Sequence, residues 1–183
     1  LLTDHEPNYR ARALWVLDRI GGDARKLVAE QLQSKDAAFR ALAVRILRRH
    51  ANDSTEPILS MAGDPAAEVR REVLLAMPAI EGDAAATALT KLAASYDGTD
   101  RYQLEAINIA AGKHKTELFA RLQKSGYWST QKLPLMQVLD PKAAGEFLTE
   151  RLASAGVDDA EAKFLLDAAG MTPSQRQVSL AMD

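Results

Sequence analysis

The sequence predicts an all-α fold, a right-handed α-α superhelix of about six stacked helix pairs, on three observations. Apolar residues recur with the three-and-four spacing of an amphipathic helix. The clearest case is Asp36–His50, where Phe39, Leu42, Ala43, Ile46 and Leu47 share one face. The pattern returns at a fixed interval: Arg10, Arg40 and Arg70 stand 30 residues apart, and Arg101 follows after 31. Composition agrees, because hydrophobic residues make up 47% of the chain and aromatic ones only 5%, with alanine, the best helix former, abundant.

The first pair starts after Pro7. Asn8–Ile20 reads as a helix with Ala13, Leu14, Leu17 and Ile20 inward. Gly21-Gly22 stops it, and Asp23 is the expected N-cap of Ala24–Gln33, whose buried side is Leu27, Val28, Ala29 and Leu32. The second pair is Asp36–His50, then the turn Asn52-Asp53-Ser54, then Glu56–Ala62 with Ile58, Leu59 and Ala62.

In the third pair, Asp64 is expected as N-cap and Pro65 at the first helical position. Glu68–Ile80 carries Val69, Val73, Leu74, Met77 and Ile80, and Pro78, which lacks a backbone donor, should bend or end it. Ala84–Ser95 is its partner, with Ala88, Leu89 and Leu92. The fourth pair follows the turn Tyr96-Asp97-Gly98: Thr99–Ala111 with Leu104, Ile107 and Ala110, then Thr116–Gln123 with Leu118, Phe119 and Leu122.

Beyond Gly126 the pattern weakens. A helix in Trp128–Leu139 should start late, around Pro134, and Asp140-Pro141 repeats the capping logic of Asp64-Pro65. Lys142–Ala155 presents Phe147, Leu148 and Leu152. Asp158–Ala169 presents Phe164, Leu165 and Ala168, and a last helix (Gln175–Met182) follows Thr172-Pro173-Ser174.

Two apolar columns hold phase throughout. Val28, Ile58, Ala88, Leu118, Leu148 and Val178 are spaced by 30, and so are Leu32, Ala62, Leu92, Leu122, Leu152 and Met182. A lone helix pair cannot bury its apolar face, so neighbours must stack to share one. With no linker in view, residues 1–183 read as one domain, its repeats clear over 4–124 and degenerate over 125–183. The chain starts at Leu1 and stops inside a helical pattern, so we expect a processed chain or a piece of a longer protein.

Charge is nearly balanced, 23 Lys+Arg against 25 Asp+Glu, which argues against bulk attraction to nucleic acid or anionic membrane. The chain has no cysteine, which excludes thiol catalysis, disulfides and a Cys-ligated metal or haem within it. Its apolar runs are too short to span a bilayer.

The units EPNYRARALWVL, KDAAFRALAVRIL and GDPAAEVRREVLLAM resemble the HEAT repeat in its short bacterial form. That resemblance implies an α-solenoid with first helices on the convex side and second helices lining the concave side. It also implies a capped turn and an arginine that bond to neighbouring repeats, a role assigned to Asp36 with Arg40, Asp64 with Arg70, and Asp97 or Asp100 with Arg101. A second likeness sits at Tyr96–Ala111, YDGTDRYQLEAINIAA. It is similar to the HEAT segment of bacterial membrane-associated dehydrogenase proteins fused to cytochrome c modules. It implies a spacer in a periplasmic or extracytoplasmic redox protein, and this chain lacks the CxxCH haem motif.

No residue is assigned a catalytic, cofactor-binding or metal-binding role. The arginine ladder is either an anion-binding stripe or a set of bridges between turns. We take the second reading, since stacking demands the same residue in every unit and a ligand needs one site. Arg45, Arg48, Arg49 and His50 form the densest basic cluster. It lies on a first helix, which should face outward, so we read it as solvated rather than as a phosphate track. His5, His50 and His114 have no ligand spacing, and Asp4-His5-Glu6 is a weak triplet. Asp158, Asp159 and Glu161 suit a helix's first turn. No Ser-His-Asp set or GxSxG motif appears.

Trp15 lies off the main stripe, which leaves it either exposed as a partner anchor or covering the N-terminal end of the stack; Trp128 is the other aromatic of interest. The chain is thus expected to be a non-enzymatic scaffold that binds a protein partner or neighbouring domains. Lys26, Glu30, Gln33, Lys91, Arg121 and Lys124 should point away from the core on the second helices. The alternative is a HEAT-like enzyme or nucleic-acid-binding protein, of the DNA glycosylase or bilin lyase kind.

Overall fold

The 30-residue interval governs where helices start. The residues that precede the first turns of three successive first helices are Glu6, Asp36 and Ala66. The computed structural model describes residues 6–170. They hold α1 (Pro7–Ile20), α2 (Asp23–Glu30), α3 (Ala37–Leu47), α4 (Thr55–Ser60), α5 (Ala67–Ala76), α6 (Asp83–Ala94), α7 (Arg101–Ala111), α8 (Lys115–Lys124), α9 (Leu133–Leu139), α10 (Pro141–Ala153) and α11 (Asp159–Gly170). Short 3-10 turns close several of these, and no strand occurs among the described residues. The fold is all-α, built of helix pairs. Val178, Met182, the helix Gln175–Met182, Asp4 and His5 lie outside the described residues.

The helices divide near Ala93–Ala94 into two compact units. In the first, α1 packs on α2 and α3, and α3 on α5, so first helices stack on first helices. In the second, α7 packs on α8 and α9, α9 on α10, and α10 on α11.

The apolar columns explain this packing. Val28, Ile58 and Ala88 are buried in the first unit, as are Leu32, Ala62 and Leu92; Leu118, Leu122 and Leu148 are buried in the second. Leu152 is only half-buried. Removing the Val, Leu and Ile side chains among them from water supplies roughly 1.5–3 kcal/mol each.

Several local expectations hold. α5 ends at Ala76 and passes into a 3-10 turn containing Pro78. α9 starts at Leu133, and the Asp140 carboxylate accepts from the amides of Lys142 and Ala143 to cap α10. Others are corrected. Asp23 is the first residue of α2 rather than its cap, because Gly22 at φ +52° makes the turn. Asp64 accepts from the Ala66 amide, but the N-cap position is Ala66 and the helix begins at Ala67, two residues after Pro65. Ile20, Leu27 and Phe164 were expected inward and are exposed. Ile20 and Leu27 belong to the first helix pair, which has no earlier unit packed on it among the described residues.

Candidate functional site

The cationic row at the end of α3 and in the turn after it is half solvated, with Arg45 and Arg49 53% and 52% exposed, and it is also paired. Its register places Arg45, Arg48 and Arg49 beside two acids on neighbouring first helices. Arg45 Nε and Nη2 donate to Glu72 Oε1 of α5 at 2.9 and 2.5 Å, and Arg48 Nη1 lies 3.5 Å from Glu72 Oε2. Toward the other side, Arg49 Nη1 lies 3.3 Å from Asp18 Oδ2 of α1 and His50 Nε2 lies 2.9 Å from Asp18 Oδ1; Arg25 of α2 is 3.4 Å away. Both carboxylates are buried. A buried charge is tolerated only when it is paired, so these cations serve the stacking of α1, α3 and α5.

Asp18 and Glu72 escaped the sequence reading. Their signal was an acid on the apolar face: Asp18 falls one turn after the buried Leu14, and Glu72 falls between the buried Val69 and Ala76.

The arginine ladder is structural: Arg70 meets Asp64 as expected, through its backbone carbonyl, while Arg40 takes a different carboxylate. Arg40 donates to Asp64 of the next turn, Nε to Oδ2 at 2.7 Å and Nη2 to Oδ1 at 2.9 Å, not to Asp36, which instead accepts from the Ala38 amide. Arg40 Nη1 also donates to the Ser34 and Lys35 carbonyls, and Arg70 Nη1 donates to the Asp64 and Pro65 carbonyls. The hydrogen bond from Arg40 holds the Asp64 carboxyl below the ordinary carboxylate range, helped by the Ala66 amide and opposed by burial. Arg10 lies over the Phe39 ring, 4.1 Å from its centroid.

The ladder ends at Arg70. Arg101 occupies the first helical position of α7 and is exposed, since α7 starts after Asp100, which accepts from the Tyr102 and Gln103 amides. The equivalent position holds Leu104, four residues after the cap.

In the second unit, Trp128 stacks on Phe119 at 4.9 Å and meets Tyr127 edge-on at 5.3 Å. The Tyr127 hydroxyl and Lys132 Nζ both donate to the Tyr96 carbonyl, at 3.0 and 2.5 Å. Burial pushes the Tyr96 phenol up to about 12 and also raises that of Tyr127. Arg151 pairs with Glu161 at 2.6 Å, and that bond, with one from Thr130, holds the Glu161 carboxyl low. Trp15 is half-buried beneath Arg49, 5.6 Å from its ring centroid.

His114 lies exposed, 3.7 Å from Glu117. Among the described residues no group of three or more His, Asp or Glu is arranged to hold a metal ion, and no helix is long and apolar enough to cross a membrane.

The second helices present a different surface. Lys26, Glu30, Gln33 and Lys91 of the first unit are exposed, as is Lys124 of the second, and Arg121 is half-buried and bonded to Glu117 at 2.9 Å. Residues 25–108 match the family of HEAT repeats. No curated protein and no solved structure matches the chain. The matched segment includes Arg40, Asp64, Arg45 and Glu72.

Proposed function

We propose that this chain is a non-catalytic scaffold that binds a protein partner through the polar side chains of its second helices. One observation carries the reading. The densest cationic cluster of the chain, Arg45, Arg48, Arg49 and His50, is committed to the buried carboxylates of Asp18 and Glu72. The second helices keep Lys26, Glu30, Gln33 and Lys91 in solvent. The HEAT match supports this role, since such repeats commonly act as protein-interaction scaffolds. The likeness of Tyr96–Ala111 to dehydrogenase fusion proteins extends the reading to a spacer within an extracytoplasmic redox protein, where the same surface faces neighbouring modules.

Site-specific photocrosslinking tests it. A crosslinker at Lys26, Lys91 or Lys124 should trap one protein reproducibly, while one at Ala38, Glu68 or Glu105 on exposed first-helix positions should not. Trapping from the first helices alone, or none at all, overturns the reading. Titration with duplex DNA at low salt separates the nucleic-acid alternative, which requires micromolar, steeply salt-dependent binding.

A further inference from the structure

Among the described residues nothing packs on the outer face of α1, although its sequence is that of a stacking face. Tyr9, Val16 and Ile20 are 54%, 53% and 69% exposed. They lie on one side of the helix, seven and four residues apart. Their counterparts 30 residues on are Phe39, Ile46 and His50, and 30 further are Val69, Ala76 and Ile80. Phe39, Ile46, Val69, Ala76 and Ile80 are all buried. The equivalence is structural, since the caps Glu6, Asp36 and Ala66 share the same interval. What covers this face in α3 is α1: Arg10 sits over Phe39, and Asp18 meets Arg49 and His50.

The same contacts describe what would cover α1. Arg19 is the counterpart of Arg49 and is exposed, as is Arg12, so the face offers cations beside its apolar row. Two copies packed through this face would set Arg12 and Arg19 against themselves, which disfavours a symmetric dimer.

We propose that α1 docks a helical hairpin of the same kind, one that carries a small apolar face, a cation over Tyr9 and a carboxylate against Arg19. At the α1–α3 junction those roles belong to Arg10 and Asp18, eight residues apart on α1. The occupant is thus a helix with a basic residue followed eight positions later by an acidic one. This goes beyond the second-helix surface proposed above and does not rest on it.

The probe is the full chain with a second copy of residues 4–33 fused directly ahead of residue 4, which supplies that helix in register. Amide exchange in the original α1 should slow at least tenfold in the fusion, and Val16→Lys should abolish the gain. In the unextended chain Val16→Lys should leave exchange in α1–α3 within twofold, because Val16 is exposed there. Unchanged exchange on fusion overturns the proposal, and so does an equal loss from Val16→Lys without it. Sedimentation of the unextended chain is the third readout. A monomer agrees, and a dimer that Val16→Lys dissolves would mean that a second copy covers the face instead.

Discussion

Arg40 grips Asp64 through a two-pronged contact that crosses from the start of one first helix to the turn before the next, at 2.7 and 2.9 Å. The fork matters more than the charge, because a planar guanidinium meets both carboxylate oxygens at once and an ammonium cannot. Arg40→Lys should therefore lower the denaturant midpoint although net charge is unchanged. Equal midpoints would show that the fork contributes nothing.

The same pair sets an acid limit. The folded-state pKa of Asp64 is depressed, so its stabilisation is fully present above the ordinary value of about 3.9 and is lost as pH falls through the folded value. The stability gap between the wild-type chain and Asp64→Asn should be full above about pH 3.9, begin to narrow there, and close only once pH has fallen through the lower folded value. A gap of constant size down to the acid-unfolding limit would place the effect in something other than ionisation.

Glu72 has two cations in reach, so their removal should be strongly non-additive. Arg45 is half exposed, and Arg45→Ala alone should cost below about 1 kcal/mol, because Arg48 still lies 3.5 Å from the carboxylate. Removing both leaves a buried charge uncompensated. The double variant should cost well over the sum of the singles in urea unfolding.

Leu47 is buried in α3, and Leu47→Ala should cost about 2–5 kcal/mol as a large-to-small change. Because α3 touches α1 and α5, hydrogen exchange should rise there before it rises in α6.

Gly98 is a backbone requirement. Its φ is +101°, and an added Cβ would collide with the Gln131 carbonyl oxygen. Gly126 has φ +68° with open space around it. Gly98→Ala should lower the unfolding midpoint clearly more than Gly126→Ala, where strain of about 1 kcal/mol acts alone.

Periodicity made the helices and the columns legible, because burial at Val28, Ile58 and Ala88 repeats with every turn of the same local geometry. The pairing of charges was not legible. It depends on which side of α3 faces α1 and which faces α5, and spacing within one helix does not encode that. Hence Arg45 and Arg49 read as a solvated row while Asp18 and Glu72 went unremarked. The exposure of Ile20 had the same origin: a stripe gives the apolar side but not whether a neighbour covers it.

Within each unit, helix pairs share buried columns in 30-residue phase. The chain has no cysteine, so one introduced thiol is the only one to react. Labelling rates of single-cysteine variants at positions 28, 58, 88, 118 and 148, against 26, 91 and 124, test this most directly. All five column thiols should react at least a hundredfold more slowly than the three at positions 26, 91 and 124. Column positions that label at scattered rates, some as fast as the exposed ones, would contradict that phasing.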